Sequence, residues 1–131
     1  MISKSILILL GLLALSFGGW AANIAFADIN APISTMALMG MMGYLFHAAI
    51  IFIALTFPVE IRRKITLLLL LWHIPETLLI AVYGMGIPKD IQTSGIIIHG
   101  AFSIFAFLSW YLAADEQKEV LLSSQLEVNH E

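Results

Sequence analysis

The stretch ITLLLLLWHIPETLLIAVY, residues 65–83, decides the fold. It is long enough to cross a bilayer as a helix, which takes about 20 apolar residues for ~30 Å of hydrocarbon. Yet its centre holds His73, Pro75 and Glu76 within four residues. A charged side chain at the bilayer centre costs at least ~2.5–3.5 kcal/mol, so intramembrane ionisable groups are functional candidates by default. A span that carries an acid must hide it among other helices.

Three further apolar runs supply those helices, giving expected spans at 5–25, 33–57, 65–83 and 94–114. The breaks between them have lipid-boundary chemistry: FADINAPIS (26–34) carries turn formers and a proline, PVEIRRK (58–64) three cations, and GMGIPKDIQTSG (84–95) Gly, Pro and a charge pair. The composition agrees. Of 131 residues, 60% are hydrophobic and 11% charged, against about a quarter charged in soluble domains, and the mean hydropathy is +0.96. The expected fold is all-α: an integral membrane bundle of four transmembrane helices over residues 1–114, its third helix kinked. An acidic cytoplasmic tail follows at 115–131.

The first run has a competing reading. Lys4, an apolar stretch and the triplet Ala25-Phe26-Ala27 resemble a secretory signal with its cleavage site. The apolar region runs unusually far before that triplet, which favours a true span.

Cations set the expected orientation, since Lys and Arg collect on the cytoplasmic side. With a cytoplasmic N-terminus, Lys4, Arg62, Arg63, Lys64 and Lys118 lie inside and Lys89 outside. Both termini are then cytoplasmic, in a bacterial inner membrane or the endoplasmic reticulum. Arg62, Arg63 and Lys64 read as a topology signal. A net charge of −3, with no basic patch beyond that loop, excludes a nucleic-acid partner. The absence of cysteine excludes disulfides, thiolate metal sites and a cysteine nucleophile.

Four ionisable residues fall within the spans: His47, His73, Glu76 and His99. His47, His73 and Glu76 come out near mid-membrane at 1.5 Å per residue, and His99 in the outer third. Steps of three and four residues line one helix face. They group His73, Glu76, Ile80 and Tyr83 on the third span. On the second they group Met36, Gly40, Gly43 and His47, and on the fourth His99, Ser103, Ala106 and Trp110. Each polar face carries a histidine. Gly40 and Gly43 would let a helix or a flat ligand approach beside His47. Pro75 removes the hydrogen bond to Leu71 and should kink the helix, freeing a carbonyl beside the ionisable pair.

The expected ligand-binding set is therefore His47, His73, Glu76, Tyr83, His99, Ser103, Gly40 and Gly43. Each histidine also has a plain structural reading as a neutral contact between helices, and Glu76 as a protonated acid. Met36, Met39, Met41 and Met42 read as soft packing rather than thioether ligands, and no metal set is assigned.

His73-x-x-Glu76 followed by Thr77, Leu78 and Leu79, a short loop ending Thr93-Ser94-Gly95, and a last apolar helix resembles a loose group of small four-span proteins. That group includes the endoplasmic-reticulum scaffold protein of ergosterol biosynthesis. It also includes a vertebrate family with the same His-x-x-Glu helix, related to domains fused to steroid-type short-chain dehydrogenases. The resemblance covers roughly the last third of the chain, and it implies tethering of sterol-modifying enzymes. Pro75 and a more apolar first half depart from the group.

Two classes of function remain. One is a bundle that binds a lipid-like ligand (sterol, isoprenoid or quinone type), or docks membrane proteins or a second copy of itself. The other is a membrane enzyme in which His73 and Glu76 do acid–base work on such a lipid, as in double-bond isomerisation. A b-type haem held by His47 and His73, the pair expected at one depth, is a further alternative. The lack of a second intramembrane acid, nucleophile triad or phosphate loop favours binding.

Overall fold

The computed structural model describes residues 2–30, 32–83 and 89–128. Its helices are α1 (Ile2–Ala27), α2 (Pro32–Ala54), α3 (Val59–Tyr83) and α4 (Lys89–Val128). Each is long and apolar enough to cross a membrane. Much of the outer surface is hydrocarbon, including Leu9, Leu12, Phe46, Leu68, Leu71, Leu78 and Ile104. In water such a surface would drive aggregation; in a bilayer it is simply solvated. The chain is a small polytopic membrane protein.

The boundaries differ from the expected ones for local reasons. The PVEIRRK segment is not a loop. Helix α3 begins at Val59, with the Arg62 amide already donating to the Pro58 carbonyl at 3.0 Å. Glu60 sits in its first turn, where a negative charge suits the helix dipole. Helix α4 starts at Lys89, ahead of Thr93-Ser94-Gly95, and continues into the acidic tail. Its 40 residues, at about 1.5 Å each, exceed the hydrocarbon thickness twofold, so part of it projects beyond the lipid. Helix α3 runs unbroken through Pro75.

The bundle is assembled from two tight pairs, α1 on α2 and α3 on α4, joined chiefly through α1 and α4. Leu7, Leu10, Ile51, Leu69 and Phe102 meet in the shared core. Gly11 makes the first pair close: a Cβ there would lie 3.0 Å from Phe52 Cζ and 3.2 Å from Ile51 Cγ2. By contrast α2 and α3 barely touch. That loose seam positions the site.

One end of the bundle is clamped by polar groups. Arg62, 3% exposed, donates from Nη2 to Glu116 Oε2 at 2.8 Å and to Ser3 Oγ at 3.3 Å. The Ser3 amide and hydroxyl also donate to Glu116, at 2.9 and 2.8 Å. Ser109 Oγ donates to the Ser3 carbonyl at 3.1 Å. Three helices, α1, α3 and α4, are thereby fixed in register. Arg62 thus has a structural role that its reading as a topology signal did not include, while Arg63 stacks its guanidinium 5.0 Å from the Trp110 ring centroid.

Candidate functional site

On α3 the three-residue step from His73 to Glu76 sets both side chains on the face turned to α2 and α4. His73 is 1% exposed. Its ring packs at 4.8 Å from His47 of α2, 5.6 Å from His99 and 4.9 Å from Phe102 of α4, measured between centroids. Glu76 Oε2 lies 3.4 Å from His73 Nδ1 and 3.0 Å from His99 Nδ1. The two imidazole Nδ1 atoms are themselves 3.4 Å apart. Neither contact to Glu76 has the alignment of a hydrogen bond, and Glu76 Oε2 and His73 Nε2 are buried without a hydrogen-bond partner. A polar atom left in that state costs about 1–3 kcal/mol.

Helix α4 brings His99 level with the α3 pair, its Nδ1 within 3.0 Å of Glu76 Oε2. Its Nε2 is 3.4 Å from the Tyr44 hydroxyl of α2, and the two rings stack at 6.0 Å. His47 Nδ1 is 2.7 Å from the Gly43 carbonyl of its own helix. A carbonyl only accepts, so Nδ1 donates in this contact.

These groups line one cavity of about 350 Å³. Helix α2 supplies Met36, Met39, Gly40, Gly43, Tyr44 and His47, α3 supplies His73 and Glu76, and α4 supplies His99. It lies along the α2–α3 seam. Gly43 has no atom within 4 Å of where a Cβ would stand, so this glycine borders empty space rather than a packed helix. The Glu76 side chain, 37% exposed, reaches the opening.

Six of the eight expected residues, His47, His73, Glu76, His99, Gly40 and Gly43, therefore share the cavity wall. Ser103 does not line it; its hydroxyl turns back to the His99 carbonyl at 2.9 Å. The Tyr83 side chain lies outside the described residues. Tyr44, Met36 and Met39 join the wall although sequence reasoning assigned them no site role. Tyr44 had a signal in its spacing, four residues after Gly40 and three before His47. A haem between His47 and His73 does not fit this arrangement. Their rings touch, tilted by 38°, with no slot for a macrocycle between them.

Comparison with family models, curated proteins and solved structures finds no match.

Proposed function

We propose that this membrane protein binds a flat, lipid-like molecule of sterol, isoprenoid or quinone type, holding its polar end in the α2–α3–α4 cavity. The observation that carries the reading is the cavity itself, a hollow with polar groups at the α2–α3 seam, where the two helices hardly pack among the described residues. Ligand pockets run roughly 300–1,000 Å³, so about 350 Å³ suits a head ring with the tail left among bilayer chains. Met36 and Met39 offer adaptable apolar walls. Glu76, His99 and Tyr44 offer an acceptor and donors for a ligand hydroxyl or carbonyl. The loose seam gives a lateral path from lipid. The cytoplasmic placement of both termini belongs to the same proposal, and rests on the cation distribution.

The test is mass spectrometry of lipids that co-purify with the detergent-extracted protein, wild type against Gly43→Phe. One lipid species enriched in the wild type and lost in the variant is the expected result. No enrichment over the bulk membrane lipids overturns the reading. A stoichiometric protein partner in its place would favour the scaffold role that the His-x-x-Glu resemblance implies.

A further inference from the structure

The geometry points to a divalent transition-metal site formed by His73, Glu76 and His99, with an open coordination position facing the cavity. The three donor atoms, His73 Nδ1, His99 Nδ1 and Glu76 Oε2, form a triangle with edges of 3.0, 3.4 and 3.4 Å. Ligands bound at ~2.1 Å lie about 3.4 Å apart in a tetrahedron and about 3.0 Å apart at right angles. The triangle therefore has the size of one face of a coordination polyhedron. A cation about 1 Å above its plane would reach all three atoms at ~2.1 Å.

The contacts around the triangle agree. The two Nδ1 atoms meet within hydrogen-bond distance of each other, and the carboxylate oxygen beside them is buried without an aligned donor. A cation satisfies all three at once. Two imidazoles and one carboxylate suit zinc or ferrous iron; all-oxygen sets are the mark of magnesium and calcium. Metal-bound histidines usually donate their other ring nitrogen to an orienting group. Here the Tyr44 hydroxyl stands 3.4 Å from His99 Nε2. His47 adds a third imidazole on the same cavity wall. The remaining position would take water or an oxygen of a bound molecule. The site stands on the triangle alone, whatever occupies the rest of the cavity.

The test uses full-length protein without a polyhistidine tag, purified in detergent, stripped with a chelator and titrated with Co²⁺ alone. Wild type should bind one equivalent per chain, with the visible absorption of a nitrogen- and oxygen-ligated ion that Zn²⁺ displaces. Glu76→Gln and His99→Ala should each weaken binding by at least about tenfold while circular dichroism and gel filtration stay unchanged. Absence of saturable one-to-one binding in the wild type overturns the proposal. So does unchanged affinity in a folded Glu76→Gln protein. If His99→Ala does not fold, Glu76→Gln decides alone, since it keeps the side-chain shape at a partly exposed position. Glu76 and His99 also line the proposed lipid cavity, so Co²⁺ affinity and lipid occupancy are read as two separate quantities on each variant.

Discussion

His99 Nδ1 of α4 stands 3.0 Å from Glu76 Oε2 of α3, close enough to act as one unit although the residues lie 23 positions apart in the chain. Glu76→Gln should leave stability unchanged or slightly raised. The amide keeps the shape and removes a buried oxygen whose unsatisfied state costs about 1–3 kcal/mol. Ligand occupancy should fall sharply in the same variant. His99→Ala should lose occupancy too, and the double variant should be no worse than the poorer single, as for residues in one network. Thermal unfolding and occupancy, measured on all three proteins, check this. Parallel loss of both quantities in Glu76→Gln would mean the acid only holds the bundle together.

Most of the fold was legible because lipid makes a simple demand: long apolar runs, satisfied backbones, polar breaks. The boundaries were less so. A helix need not end where hydrocarbon ends, and residues 59–64 and 115–128 stay helical past the apolar runs. At the site, His73 and Glu76 were legible from their spacing, and Gly40, Gly43 and His47 from theirs. The cavity was not, because it arises from what α2 and α3 fail to do, and a missing contact has no local sequence signal. Tyr44 has the spacing of the Gly40–His47 face, but an aromatic within a span ordinarily means packing.

The Arg62–Glu116 clamp should matter more for stability than its place at the bundle end suggests. Breaking a buried pair from one side strands the other charge, which typically costs about 3–5 kcal/mol. Glu116 is partly open to solvent, so Glu116→Ala should come at or below the lower end of that range. Lys64 and Glu60 form an exposed pair at 2.7 Å, so Glu60→Ala should have only a small effect, the exposed pair and its place at the helix start both contributing little. The double change Arg62→Met with Glu116→Leu should recover part of the loss, since it removes both charges together. Unfolding midpoints in detergent separate these outcomes. Equal effects of Glu116→Ala and Glu60→Ala would rule out the clamp.

Topology gives an independent check. Ser34 opens α2 and Lys64 lies in the first turns of α3, so one span separates them. Reporter fusions after Ser34 and after Lys64 should give opposite readouts, with the Lys64 fusion on the cytoplasmic side beside Arg62 and Arg63. Matching readouts would mean that α2 does not cross.

Two glycines offer the sharpest contrast between packing and site. At Gly11 a Cβ would meet Phe52 Cζ at 3.0 Å and Ile51 Cγ2 at 3.2 Å, and Ile51 is fully buried, which leaves its side chain little room to give. Gly11→Ala should therefore destabilise the bundle by about 1–3 kcal/mol, the usual cost of overpacking, and this should outweigh the gain in helix propensity. At Gly43 nothing lies within 4 Å. There Gly43→Ala should stabilise by up to about 1 kcal/mol, since alanine favours the helix and meets no neighbour. Enlarging the same position to Phe should fill the cavity beside His47 and expel a bound lipid while the protein stays folded. The pairing is the test: unfolding midpoints for both alanine variants, lipid occupancy for Gly43→Phe. If Gly43→Phe keeps its lipid at wild-type occupancy, the ligand is not in this cavity. If Gly43→Ala destabilises the bundle as Gly11→Ala does, the seam between α2 and α3 is as tightly packed as the pair α1 and α2.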